Sequence, residues 1–177
     1  PADHGIFASS AASGTPGQGY FAGGGVSGSY LSTVDRFLFA DDSRTTLGTG
    51  LSAGSYALGG MASSVAGYFG GGLSSGHVAI DRVERFLFSN DSRTELGTGL
   101  SANRFDLTAM ASSVAGYFAG GRNINGGSNR TDDVDRFLFS NDSRTTLGTG
   151  LSSARQGPGG MASSVAGYFA GGRIING

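Results

Sequence analysis

The chain has 177 residues, a formal net charge of −1 and no cysteine, which excludes disulfides, thiolate zinc sites and thiol nucleophiles. Its 12 basic residues are all arginines and form no block, which argues against nucleic-acid binding. Its 34 glycines far exceed the usual share of about 7%, but 12 Phe and 6 Tyr recur at fixed positions, which predicts packed β structure rather than disorder.

A repeat of about 50 residues runs through the chain. The tripeptide Gly-Tyr-Phe begins at Gly19, Gly67, Gly116 and Gly167, with spacings of 48, 49 and 51. The repeat predicts an N-terminal segment that holds an imperfect first strand, three full repeats and the start of a fourth. Their bounds are 1–18, 19–66, 67–115, 116–166 and 167–177.

Each repeat contains four short segments of strand character, separated by Gly, Ser, Asn and Asp. In the stretch 61–96 we label them strand a (61–64), strand b (68–69), strand c (83–88) and strand d (94–96). No segment has the apolar recurrence of a helix, so the sequence predicts an all-β chain. Strand c carries apolar residues on both of its faces, which predicts a sheet that is covered on both sides by stacked neighbours.

The pattern resembles kelch repeats, which run about 50 residues and fold as four-stranded blades of a β-propeller. The double-glycine element of kelch repeats resembles the Tyr-Phe-Ala-Gly-Gly run at 117–121. Their acidic turn resembles the turns at Asp42, Asp91 and Asp142. The start of their next blade resembles Arg155 with Gly157. The resemblance extends from about Gly5 to the end. One departure is the absence of the usual Trp in strand d.

The number of units leaves the architecture open. About three and a half units are present, whereas closed propellers have four to eight blades. Either the chain is part of a longer array, or copies assemble to close a ring. A β-trefoil and an open β-array remain alternatives.

The connections between strands divide into a constant set and a variable set. The a–b and c–d turns hardly change between repeats, whereas the b–c and d–a connections do, and antiparallel order places both variable sets on one rim. Their aromatic, Asn and Arg side chains suit a glycan or a protein partner, although loops also diverge when nothing constrains them. The candidate ligand-binding residues are Tyr30, Tyr56, Arg104, Phe105, Arg122, Asn123, Asn129 and Arg130.

Other chemistry finds little support in the sequence. His4 and His77 are too few for a histidine metal site, and no calcium loop or phosphate-binding loop is present. Glu84 and Asp135 recur in each repeat beside an Arg, which indicates a structural role rather than acid–base catalysis. Kelch-type oxidases need a cysteine and clustered histidines, which are missing here. The sequence therefore predicts no metal, no cofactor and no enzymatic activity.

These observations favour a binding or adhesion module. Because Gly/Ser-rich kelch-like arrays resemble proteins of bacteria and their phages, we expect part of a phage tail fibre or bacterial surface protein, extracellular or on the virion. The expected partners are a glycan or protein on a cell surface, together with self-association or a longer parent chain. The start at Pro1 indicates processing or a fragment. The sequence contains no run of about 18 apolar residues, so we expect no membrane insertion. The alternative is a structural, self-assembling β-array that forms a filament or shell.

Overall fold

The computed structural model describes residues 17–26, 28–125 and 129–174 and the backbone of 6–10, and within these ranges all regular structure is β-strand. The strands are β1 (Ile6–Ser10), β2 (Gln18–Ala22), β3 (Gly25–Val26), β4 (Ser29–Tyr30), β5 (Val34–Leu38), β6 (Arg44–Thr46), β7 (Ser55–Tyr56), β8 (Gly59–Ala62), β9 (Ala66–Gly70), β10 (Leu73–Ser74), β11 (Val78–Ala79), β12 (Val83–Leu87), β13 (Arg93–Glu95), β14 (Thr108–Ala111), β15 (Ala115–Ala119), β16 (Arg122–Asn123), β17 (Asn129–Arg130), β18 (Val134–Leu138), β19 (Arg144–Thr146), β20 (Gly159–Ala162) and β21 (Gly167–Ala170).

Three four-stranded antiparallel sheets follow one another along the chain. Their strand orders are β1-β2-β5-β6 in the first sheet, β8-β9-β12-β13 in the second and β14-β15-β18-β19 in the third, and β20 and β21 form a terminal hairpin. Each complete sheet therefore has strands a, b, c and d in the predicted order, and the all-β, four-stranded prediction is confirmed.

Strand a of the second sheet ends two residues earlier than the sequence predicted. Ser63 was expected to continue the strand, but it closes the a–b turn instead. Its hydroxyl oxygen accepts hydrogen bonds from the backbone N–H groups of Val65 (3.2 Å) and Ala66 (3.0 Å). A serine that bonds its neighbouring backbone in this way favours a turn over a strand.

The hydrophobic core lies between successive sheets. One cluster includes Tyr20 and Val34 of the first sheet together with Phe69 and Phe86 of the second. A second cluster joins Met61, Tyr68 and Val83 of the second sheet to Phe118 and Phe137 of the third. Both faces of the second sheet are thus covered by neighbours, as the two apolar faces of strand c predicted.

The same group of polar and aromatic side chains ties each sheet to the next. Tyr68 donates a hydrogen bond from its phenol to Oδ1 of Asp142 (2.9 Å), and the guanidinium of Arg85 pairs with Oδ2 of the same carboxylate. The ring of Tyr68 also stacks on Phe139, with 5.3 Å between ring centroids. We call this set of four residues, Tyr and Arg on one sheet and Phe and Asp on the next, the inter-sheet clamp.

The clamp between the first and second sheets is built from the equivalent residues. The phenol of Tyr20 donates to Oδ1 of Asp91, Arg36 Nη1 lies 2.6 Å from Oδ2 of Asp91, and Tyr20 stacks on Phe88 at 5.2 Å. Asp91 has a φ of 56°, in the left-handed region that Asp tolerates better than most residues. Asp91 therefore supplies both the left-handed conformation of the c–d turn and the negative charge of the clamp.

Paired glycines end strand b because the backbone of the next unit passes very close to them. Gly71 has a φ of +68°, and a Cβ there would lie 2.6 Å from the backbone oxygen of Arg104. We expect Gly71→Ala to lower the free energy of unfolding by about 2–4 kcal/mol, from left-handed strain and the clash together. Denaturant unfolding would measure this. Gly97→Ala, where a Cβ meets nothing within 4 Å, is the control and should change stability by less than about 0.5 kcal/mol.

The clamp also predicts a loss of stability at high pH. Burial, with the hydrogen bonds to Asp91 and Asp142 adding to it, raises the pKa of Tyr20 and Tyr68 well above the usual 10.0. A phenol whose pKa is raised by folding contributes stability below the unfolded pKa, and this contribution is lost as pH rises. We therefore expect the free energy of unfolding to fall above pH ~10, by up to about 1.4 kcal/mol per pH unit for each tyrosine.

Denaturant titrations from pH 8 to 11 would test this dependence. The double variant Tyr20→Phe, Tyr68→Phe should be less stable at pH 8 but show a flatter decline above pH ~10. Tyr168 is 57% exposed, so Tyr168→Phe is the matched control and should keep the wild-type slope. An unchanged slope in the double variant would contradict the assignment.

Candidate functional site

The variable connections form a second set of small antiparallel sheets. Between the first and second sheets, β7 of the d–a connection pairs with β10 of the next b–c connection, and β10 pairs with β11. Between the second and third sheets, Phe105 pairs with Arg122, and β16 pairs with β17. The variable b–c and d–a connections therefore lie side by side, and we call their combined surface the variable rim.

Tyr30, Tyr56 and His77 form an aromatic cluster on this rim. The rings of Tyr30 and Tyr56 stack with 5.6 Å between centroids, and His77 meets Tyr30 edge-on at 5.6 Å. The phenol oxygen of Tyr30 lies 2.6 Å from Nδ1 of His77. Both tyrosines are partly exposed and His77 is exposed, so solvent reaches this cluster.

A second cluster surrounds Phe105. Its ring is buried beneath the guanidinium of Arg122, whose Cζ lies 4.5 Å from the ring centroid, a cation–π contact. Nε of Arg122 lies 3.7 Å from Oδ2 of Asp106, and Gln156 donates a hydrogen bond to the same oxygen at 3.1 Å. Burial raises the pKa of Asp106, against the opposing charges of Arg122 and Arg130.

Apolar side chains connect the two clusters. Leu73 and Ala79 are buried between them, in one hydrophobic group that also contains Tyr30, Tyr56 and Phe105. The side-chain amide of Asn125 bonds both the N–H (3.1 Å) and the carbonyl (2.8 Å) of Ala79 and fixes the end of the b–c connection. The variable rim is thus one continuous, ordered surface.

The remaining candidates from the sequence differ in accessibility. Asn129 is exposed and pairs with Asn123, whose side-chain oxygen accepts a hydrogen bond from the N–H of Asn125 at 2.7 Å. Arg130 is partly exposed and follows Asn129 on β17. Three contributors were missed by the sequence reasoning, because each lies in a connection without a residue pattern that marks it. They are His77, Asp106 and Asn125.

Arg104 lies apart from this surface. Its side chain is 1% exposed, and Nη2 lies 2.6 Å from Oδ2 of the fully buried Asp135. Burial lowers the pKa of Arg104 despite the nearby carboxylates. The contacts of Arg104 are internal, so we do not include it in the proposed binding surface.

Glu84 caps the start of the first d–a connection and Asp135 that of the second. Burial alone would raise the pKa of Asp135, but hydrogen bonds from Ser101 and Thr146 and the charge of Arg104 outweigh it and hold this pKa below its usual value. The backbone N–H of Ser101 donates to Asp135 at 2.8 Å, as that of Ser52 does to Glu84. The recurring carboxylates Glu84 and Asp135 thus cap turns and form ion pairs with arginines.

Removal of Arg104 should strongly destabilise the fold. Arg104→Ala would leave the charge of Asp135 buried with fewer partners, and we expect a loss of about 3–5 kcal/mol in the free energy of unfolding. Arg155 holds the equivalent position in the next unit but bonds Gly171, Ser152 and Ser153 near the surface. Arg155→Ala should therefore cost less than about 1 kcal/mol. Equal losses for the two variants in denaturant unfolding would contradict this account.

Comparison with known proteins gives no family assignment. No protein-family model matches the chain, and no curated protein matches it. Among the described residues, no group of three His, Asp or Glu side chains lies close enough to hold a metal ion. The described ranges also contain no helix that is long and apolar enough to cross a membrane.

Proposed function

We propose that this protein is a non-enzymatic binding module whose variable rim contacts a glycan or a protein on a cell surface. The observation that carries the proposal is the ordering of the diversified connections into one surface, with the Tyr30–Tyr56–His77 cluster open to solvent. Loops that diverge only through lack of constraint would not require paired strands, a buried Phe105 and shared apolar contacts.

The chemistry of the rim favours a polar ligand that has an apolar face. Aromatic rings supply contact area, and the phenols and imidazole beside them supply hydrogen bonds. Arg122, Asn123, Asn129 and Arg130 add donors and acceptors at the other end of the rim. A glycan has this combination of hydroxyl groups and C–H surfaces, so we place it first among the partners.

We also infer a kelch-like propeller arrangement of the sheets. Three units each form a four-stranded antiparallel sheet in sequential order, as blades do. Strands a of successive units, β1, β8, β14 and β20, lie next to one another in series. This order supports blades over the β-trefoil alternative. The expectation of an extracellular or virion-bound protein, such as a tail fibre or bacterial surface protein, belongs to the same proposal and rests on the resemblance of the repeats.

Binding to a glycan array and to bacterial cells would test the proposal. We expect Tyr30→Ala to weaken binding at least tenfold, because truncation of a central aromatic contact typically costs about 2 kcal/mol. Val65→Ala, at a 60% exposed site in the constant a–b turn, is the control and should bind as the wild type does. Absence of binding by the wild-type protein to any glycan or cell surface, or equal binding by Tyr30→Ala, would contradict the proposal.

A second candidate is a structural, self-assembling array. It is favoured by exposed apolar side chains that recur in the a–b turns: Val65 is 60% exposed, Val114 66% and Val165 91%. Exposed apolar groups of this size commonly mark contact surfaces. A molecular mass that rises with concentration would support self-association, and a monomer at every concentration would oppose it.

A further inference from the structure

The first three b–c connections share one strand register but carry different side chains in it. In each of them, the residue directly after the paired glycines lies opposite a residue of the returning strand. These cross-strand pairs are Gly25 with Tyr30, Leu73 with Ala79, and Arg122 with Arg130. Along the variable rim, equivalent positions therefore change from aromatic through apolar to basic.

The basic pair holds two like charges close together. Arg122 and Arg130 lie directly opposite each other on β16 and β17. Next to them, the N–H of Thr131 donates a hydrogen bond to the carbonyl oxygen of Gly121 at 3.1 Å. Theirs is therefore a non-hydrogen-bonded pair, the kind in which opposed side chains lie closest. Because like charges directly opposite each other destabilise a sheet, this pair lowers the stability of the rim.

The fold does not require charge at this position. Leu73 and Ala79 occupy the equivalent positions one unit earlier, and both are buried in the apolar group of the rim. The same backbone register therefore forms with a neutral pair. Residues that lower stability are commonly retained where function needs them. The arginine pair thus points to a negatively charged ligand.

Asp106 neutralises only part of this positive charge. Its Oδ2 lies 3.7 Å from Nε of Arg122, whereas Arg130 forms no ion pair with a carboxylate in the described part of the chain. Burial raises the pKa of Asp106, and the charges of Arg122 and Arg130 both oppose this rise, so both arginines act on the same carboxylate. Two positive charges thus face one negative charge, which leaves the cluster with one positive charge in excess.

The cluster is held in position and is open to solvent. The guanidinium of Arg122 lies over the ring of Phe105, and its side chain is 32% exposed. Arg130 is also partly exposed. The side-chain amide of Gln156 donates a hydrogen bond to Oδ2 of Asp106 at 3.1 Å and restrains that carboxylate. Since a guanidinium presents its N–H donors in a planar fork that matches the two oxygens of a carboxylate, this pair can bind one that arrives from solvent.

We propose that the ligand of the variable rim is an acidic glycan, and that a carboxylate on one of its sugars binds Arg122 and Arg130. One carboxylate balances the single excess positive charge of the cluster. The adjoining sugars contact the apolar and aromatic parts of the rim, toward Tyr30 and Tyr56. This inference rests on the proposed function and deepens it, because it names the class of glycan.

An array of matched oligosaccharides tests the requirement for charge. Each oligosaccharide that contains a uronic acid or a sialic acid is printed beside its carboxyl-reduced form, in which a hydroxymethyl group replaces the carboxylate. We expect the wild-type protein to bind at least one acidic form about tenfold more tightly than its reduced form, and this preference to shrink as salt is added. Equal affinity for the two forms of every pair, or selective binding of sulfated sugars, would overturn the assignment of a carboxylate.

Two substitutions should change the affinity for the acidic form in opposite directions. Arg130→Gln removes one of the two positive charges and should weaken binding about tenfold. It should not lower the denaturation midpoint, because it relieves the contact between like charges. Asp106→Asn removes the competing carboxylate at a residue with a φ of 52°, a conformation that Asn accepts, and should tighten binding roughly threefold. A purely structural role would not produce shifts of opposite sign.

Arg44→Gln is the matched control, because it removes the same charge from a 56% exposed arginine on β6, outside the variable rim. It should leave the affinity for the acidic form unchanged. Arg130→Lys keeps the charge but loses the planar fork, so its affinity should lie between those of the wild type and Arg130→Gln. Equal losses in Arg44→Gln and Arg130→Gln, or no loss in either, would overturn the inference.

The aromatic variant separates this inference from the proposed function. Tyr30→Ala should weaken binding of the acidic and carboxyl-reduced forms by the same factor, whereas Arg130→Gln should weaken binding of the acidic form alone. Binding of neutral glycans without preference for acidic ones would overturn the charge requirement and leave the proposed function intact. Absence of binding to any glycan or cell surface would overturn both. Cell binding that survives enzymatic removal of surface glycans would indicate a protein partner and would also overturn the inference.

Discussion

Each four-stranded sheet has apolar side chains on both of its faces, so no sheet can bury its own phenylalanines. Phe86 and Val83 are 0% exposed only because the first and third sheets cover the second from opposite sides. This constraint makes stability a property of the interfaces between units rather than of any one unit. The closely spaced glycines of strand b and the methionines of strand a follow from it, since both allow the sheets to approach.

The inter-sheet clamp gives this packing direction and specificity. Apolar stacking alone would tolerate a shift between sheets, whereas the Tyr–Asp hydrogen bond and the Arg–Asp ion pair fix one relative position. The carboxylate of Asp142 is 18% exposed and Arg85 is 27% exposed, so the pair is shielded from water without being fully desolvated. Partial burial of this kind avoids most of the penalty that full burial of an ion pair would impose.

Much of this fold could be predicted from the sequence, because the signals were local and repeated. Strand c was recognisable from its repeated segment with apolar residues on both faces, and the turns from Asn, Asp and Ser. The clamp was not predicted, since Tyr68 and Asp142 are 74 residues apart and nothing in either repeat alone indicates that they meet. The ion pair of Arg104, one of the candidate binding residues, was not predicted for the same reason: its partner Asp135 lies 31 residues away in the next unit. The variable rim was predicted as a location, whereas its small sheets depend on pairings between connections that share no sequence pattern.

The clamp uses the same four residue types at both junctions between the three complete sheets, which makes units of this kind mutually compatible neighbours. A gene that gains or loses one whole repeat would therefore still encode matching surfaces at each new junction, without compensating substitutions elsewhere. The connections on the rim are under no such restriction, since they pair only with adjacent connections. Array length and rim composition can thus evolve separately, one by duplication and the other by point substitution.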